Sequence, residues 1–266
     1  MKRRKTNAGL RLILIMALLT AAFTLVVLFF SGAHAKNDTY VDIDPETVKL
    51  VQLEGPQEGD PIAIVDTDLG EFRIVLYPEY SPLAVKNFTE LAESGYYNDT
   101  YVFDSGSGAF ASLGCPQKNG ELPAGYDTSR ENIPRELHQD LWPLKGTVMS
   151  MTKAGKRGLK EILLGGTQYY SGSRFIVVDT IEFTPELEEE LRGISTIEGL
   201  SDAFIEKGGV PNFSQQMTVI GQTYEGLEVI DALASLESVD NGAFHVPVDD
   251  VKIKTVTIST YTEKED

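Results

Sequence analysis

Residues 65–100 read VDTDLGEFRIVLYPEYSPLAVKNFTELAESGYYNDT, and this stretch decides the fold. Two apolar runs, Ile62 and Ile64 just before it and Phe72, Ile74 and Leu76 within it, alternate with polar residues on either side of the turn-prone DLGE. Alternation with a period of two around such a turn predicts a β-hairpin, with these five side chains facing one way. The pattern then changes period. Ser81 offers an N-cap, Pro82 suits a first helical position, Val85, Phe88 and Leu91 recur at helical spacing, and Gly95 provides a stop.

Downstream, YYNDTYVFDSGSGAFASLGCP, GTVMSMTKAG and SGSRFIVVDT are short strand-like runs separated by glycines. Helical spacing returns over 185–208, where Leu187, Leu191, Ile194, Ile197, Leu200 and Phe204 recur. QMTVIG predicts a strand, EGLEVIDALASL a second helix on the main body, and PVDDVKIKTVTIST a closing strand with Val251, Ile253 and Val256 turned inward. Many short strands with few helices predict a mainly β fold. A closed antiparallel barrel is the expected form, because closure removes exposed strand edges.

The first 35 residues hold Lys2, Arg3, Arg4, Lys5 and Arg11 and no acid, leaving 18 basic against 40 acidic residues in the rest, a balance of −22. Such acidity disfavours nucleic acid as a partner and favours solubility outside a cell or cationic partners. Behind the basic head, residues 12–30 are an unbroken apolar run, which at about 1.5 Å per residue nearly crosses a hydrocarbon core of about 30 Å. Two readings follow: a single-pass anchor with the bulk of the chain outside, or a signal segment cleaved after Ala35 in the small-residue stretch AHA. Export is common to both. Residues 36–60 are polar, acidic and closed by Gly and Pro, and are expected to form a linker, so that the folded domain spans 61–266.

Cys115 is the only cysteine, so no intramolecular disulfide is available. A nucleophilic role needs a base beside it, and His138 and His245 carry no partner motif, so a packed thiol is expected. No Cys/His spacing or EF-hand order is present, and neither metal nor cofactor is expected.

The order of these motifs resembles the cyclophilin family of peptidyl-prolyl isomerases. The matching pieces are residues 65–100 with GTVMSMTKAG, SGSRFIVV, VIGQTYEGLEVIDAL and PVDDVKIKTVTI, together spanning roughly 61–260. EKGGVPNFSQQMTVIG, with a helical insertion before it at 185–208, resembles the exported, anchored bacterial branch. The resemblance implies a closed eight-stranded antiparallel barrel with two capping helices and a peptide groove on one outer face.

Position by position, the implied groove differs from the family's pattern. Where the family reads FHR.IPGFM.QGGDP, this chain reads VFDSGSGAFASLGCP over 102–116. Its catalytic arginine falls on Asp104 in an ungapped alignment, or on Ser105 if Phe103 takes the first Phe; neither is an arginine. The Gln a few residues later becomes Ser112 or Leu113, and Phe110 keeps an aromatic floor. The backbone-binding Ala-Asn pair becomes Thr152 and Lys153. The Gln of SGSQF becomes Arg174, and the pocket aromatic becomes Ile176. Asn212, Phe213 and Met217 stand for the family's Trp, Leu and His. By contrast Ile64, Phe72, Phe88, Met149, Phe175, Val219 and Ile230 suit a barrel core.

X–Pro rotation faces a barrier of about 18–20 kcal/mol, and lowering it takes a donor at the prolyl amide beside an apolar pocket that holds the ring. Asp104 is an acceptor of the wrong charge. Phe110, Ile176, Phe213 and Met217 either form an adaptable apolar pocket or simply pack the core. Arg174 has three readings: a cationic donor relocated to the groove, a partner for Asp104 or another acid, or a charge at a strand entrance. Two functions remain open: a peptidyl-prolyl isomerase that assists exported proteins with weak or lost turnover, and a non-catalytic module that binds extended polypeptide or one protein partner. The expected groove set is Phe110, Ser112, Thr152, Arg174, Ile176, Phe213 and Met217, with Arg174 as the sole catalytic candidate.

Overall fold

The computed structural model describes Met16, Thr20 and residues 40–106, 108–126, 128–156 and 167–263. The apolar run at 12–30 and the junction after Ala35 lie outside these residues apart from Met16 and Thr20. No helix among the described residues is long and apolar enough to cross a membrane. The chain divides into two compact units, residues 1–39 with 155–168 and residues 40–154 with 169–266, and the second holds the sheet.

The 65–100 stretch folds as its periodicities dictate. Strands β1 (Pro61–Thr67) and β2 (Gly70–Leu76) form the hairpin, and α1 (Pro82–Glu93) follows. Then come β3 (Tyr101–Ser105), β4 (Phe110–Cys115), β5 (Ile133–Pro134), β6 (Thr147–Ala154) and β7 (Tyr169–Val178). The 185–208 segment contains two helices, α2 (Pro185–Ile194) and α3 (Leu200–Lys207). Strand β8 (Thr218–Glu225), α4 (Leu227–Ala234), the small hairpin β9 (Ser238–Asp240) and β10 (His245–Pro247), and β11 (Ile253–Thr260) complete the chain. Nine strands make one curled antiparallel sheet in the order β11-β1-β2-β8-β6-β7-β4-β3, with β5 added beside β7.

The expected closed eight-stranded barrel is here a curled half-barrel. Its two end strands are not joined by a continuous ladder. They meet at one corner, through an isolated bridge between Tyr101 and Lys252 and the bonds Val102 N–H to Val251 O and Ile253 N–H to Thr100 O, both 2.9 Å. Strand β3 is only five residues long and leaves the sheet before a longer ladder can form.

The concave side holds the main core. Phe72, Ile74 and Leu76 of β2 face it, as do Val251, Ile253 and Val256, together with Phe88 and Leu91 of α1 and Ile230 and Leu233 of α4, the two capping helices. On β1 the inward residues are Ala63 and Val65, not Ile62 and Ile64 as the alternation suggested. Both faces of β1 are apolar, so the period alone does not say which is inside.

Helix α1 is capped differently from its sequence signature. The Ser81 hydroxyl does not cap the helix; it donates instead to the Val219 carbonyl at 2.7 Å. The Glu136 carboxylate takes the cap's place, accepting from Leu83 N–H at 3.2 Å and Ala84 N–H at 2.9 Å, where it also meets the positive end of the helix. Glu136→Ala is expected to cost about 1 kcal/mol, read as a lowered urea midpoint with an unchanged slope.

Residues 40–60, which read as part of a linker, lie along the folded unit. Ile43 and Leu50 pack against the cluster of Trp142, Leu144, Leu200, Ala203 and Phe204. Gln52 is buried and donates to Thr147 Oγ1 and Gln222 Oε1, both at 2.8 Å, while its carbonyl accepts the Trp142 N–H at 2.6 Å.

Candidate functional site

The strand registers set one row of side chains across the convex face. Asp104 of β3 lies opposite Ser112 of β4, Ser112 opposite Ile176 of β7, Ile176 opposite Met149 of β6, and Met149 opposite Val219 of β8. Their neighbours Ala111, Leu113, Val148, Phe175, Val177 and Ile220 point to the concave core. Met149 and Val219, expected in the barrel core, therefore belong to the outer face, where they join a second cluster with Leu141, Val178 and Val210.

The segment after α3 lies over this face. Phe213 and Met217 pack into the second cluster together with Ala109. The Phe213 ring meets Phe110 at 5.4 Å between centroids and 61° between planes. Phe110, Phe213 and Met217 thus line one apolar patch, and Ile176, 5% exposed, lies beside it in the row opposite Met149. Ala109 is a member that the sequence reading missed.

The polar end of the row is covered. Asp104 is 7% exposed, and its Oδ1 accepts the His245 backbone N–H at 2.8 Å, with the His245 Nδ1 3.8 Å away. Burial raises its carboxyl pKa, against the lowering effects of the His245 contacts and the Ser112 hydroxyl. Phe244, beside His245, sets its ring at 5.1 Å and 84° to Phe103. Gly120 sits beneath this pair with a φ of +79°, and a Cβ there would lie 2.6 Å from both rings, so only glycine fits. The β9–β10 hairpin, to which sequence patterning assigned no role, is thereby pinned over β3. The two positions aligned with the family's arginine have different surroundings: Asp104 faces Ser112 across the ladder, and Ser105 donates to the Ala234 carbonyl at 2.8 Å.

Arg174 lies two residues before Ile176 on β7, so on the same face. It makes no ion pair with Asp104. Its Nη1 donates to the Gly120 carbonyl at 2.6 Å, its guanidinium stands 5.9 Å above the Phe103 ring, and its Nε is buried without an acceptor. Thr152 is part-buried beyond a register shift at which β7 carries the extra residues, and it donates to the Ser150 carbonyl at 3.3 Å. It sits apart from the apolar patch, opposite Ser171. Cys115 is a buried free thiol donating to the Glu121 carbonyl, and burial pushes its pKa up. Among the described residues no group of three or more His, Cys, Asp or Glu side chains is placed to hold a metal.

Residues 62–178 match the family model described as cyclophilin type peptidyl-prolyl cis-trans isomerase/CLD. A Staphylococcus saprophyticus protein named "Putative peptidyl-prolyl cis-trans isomerase" is 26% identical over 208 residues, 78% of this chain and 96% of that protein. A Streptococcus pyogenes protein named "Putative bifunctional phosphatase/peptidyl-prolyl cis-trans isomerase" is 28% identical over 218 residues, which are 81% of this chain but only 42% of that longer protein. Among solved structures, a Cryptosporidium parvum cyclophilin type isomerase, crystallised in the presence of the dipeptide Ala-Pro, superposes with a TM-score of 0.53 at 19% identity, covering 75% of this chain and 99% of its own. The curled sheet with its two capping helices is thus a cyclophilin-like fold, and residues 62–178 within it match the cyclophilin-type family.

Proposed function

We propose that this protein is a cyclophilin-like folding helper that holds proline-containing or extended polypeptide segments outside the cell and turns them over weakly or not at all. The observation that carries the reading is Asp104. At the position where the family's catalytic arginine is expected, a buried carboxylate is spent on the His245 backbone. A carboxylate cannot donate a hydrogen bond to a prolyl amide nitrogen, and its charge opposes the polarisation that loosens the amide. The apolar surface of Phe110, Phe213 and Met217, with Ile176 next in the row, supports binding over catalysis.

The acidic exterior and the basic-then-apolar N-terminus support export, with residues 12–30 as a single-pass anchor or with release after Ala35. Residues 61–266, including the helical insertion at 185–208, then form the exported domain, and polypeptide rather than nucleic acid is the partner. A proline-peptide assay tests the activity. Relaxation of an X–Pro tetrapeptide should stay within about tenfold of its uncatalysed time of tens of seconds or longer, while titration of the same peptide saturates. Efficient turnover would overturn the weak-isomerase reading, and turnover and saturation both being absent would overturn the polypeptide reading.

A further inference from the structure

Arg174 is a part-buried cation held in place by neutral groups. Arg73, Arg130, Arg192 and Lys145 each have a carboxylate within ion-pair distance. Arg174 has no such partner among the described residues, in a chain whose formal net charge is −17. It is not idle at the surface either. One guanidinium nitrogen is fixed by the Gly120 carbonyl, the plane stands over Phe103, and Nε is buried without an acceptor. The nearest acid on the row, Asp104, is committed to the His245 backbone. With Nη1 committed to Gly120, Nε enclosed and no carboxylate within ion-pair distance, the Nη2 end of the guanidinium is left to meet a ligand, and the acceptor that suits it is a carboxylate.

We propose that Arg174 is a specificity residue of the groove, which takes polypeptide carrying an acidic side chain one or two residues from its proline. This rests on the polypeptide reading of the groove given above. The spacing follows from strand geometry. Arg174 and Ile176 are two residues apart on one face of β7, about 6.6 Å, and an extended peptide covers the same length in two residues. A ring seated over Ile176 therefore brings the side chains of its near neighbours within reach of Arg174. The Gly120 contact and the Phe103 ring hold the guanidinium before the ligand arrives, so little side-chain freedom is lost on binding. A free C-terminal carboxylate has the same chemistry and is separated from the side chain by the choice of peptides.

The full chain is titrated with the amidated peptides Ala-Glu-Pro-Ala and Ala-Ala-Pro-Glu, with their Gln counterparts, and with Ala-Ala-Pro-Ala as amide and as free acid. At least one Glu peptide should bind about five- to tenfold more tightly than its Gln counterpart. That ratio should shrink on raising salt, fall toward one in Arg174→Gln and survive in part in Arg174→Lys. Equal binding of Glu and Gln peptides, or a ratio that persists in Arg174→Gln, overturns the assignment. A larger gain from the free acid than from Glu overturns the side-chain form of it. If no proline peptide binds at all, the polypeptide reading of the groove falls and this assignment falls with it.

Discussion

A chain that begins at Pro61 is expected to be less stable by about 4 kcal/mol than one that begins at Lys36, although 61–266 contains every strand and helix of the sheet. Gln52 is the reason. Its removal takes away two donated bonds and leaves the buried Trp142 N–H without an acceptor, and an orphaned buried group costs about 1–3 kcal/mol. The loss of Ile43 and Leu50 also opens the Trp142, Leu144 and Phe204 cluster to water. Gln52→Leu isolates the polar part: it keeps the volume, deletes the bonds and should cost about 2 kcal/mol. Urea unfolding followed by tryptophan fluorescence reads both, since Trp142 is the only tryptophan and sits at the junction. Agreement of the two chains to within 1 kcal/mol would return residues 40–60 to the status of a tether.

Gly226→Ala should cost more than Gly242→Ala by about 2–3 kcal/mol, although the two glycines share nearly the same φ of +86° and +88°. The left-handed conformation costs a non-glycine residue about 1–2 kcal/mol, and both substitutions carry that term. Only Gly226 meets a steric one. A Cβ there would lie 2.4 Å from the Glu71 carbonyl oxygen and 2.7 Å from the Cα of Phe72, a fully buried core residue, whereas nothing stands within 4 Å at Gly242. Backbone cannot rotate out of the way as a side chain can, so the overlap must push α4 off β2, at about 1–3 kcal/mol or more. Equal losses at the two positions would mean that the turn into α4 yields and that the contact with β2 is looser than it stands.

Much of the fold was legible because period and punctuation agree over 65–100, and because the inward residues of β2 fall on one face of the strand. The face of β1 was not, since Ile62 and Ile64 on its outside are as apolar as Ala63 and Val65 within. Residues 40–60 read as a linker because their attachment depends on one amide and a few scattered aliphatics, which composition averages away. At the site, Phe110, Phe213 and Met217 were legible as a group, and the structure brings them together. The partner of Arg174 was not legible, because the Gly120 carbonyl that receives it is a backbone group with no signature in sequence. Nor was the role of Asp104, whose acceptor bond runs to a main-chain N–H 141 positions away.

That bond couples two distant parts of the chain. Once a carboxylate at position 104 fastens the β9–β10 hairpin, the hairpin and the carboxylate depend on each other. An arginine at 104 would set a cation against the His245 N–H and crowd the Phe103, Phe244 and Gly120 stack. A single substitution at either partner therefore loosens both, and the two positions can change only together.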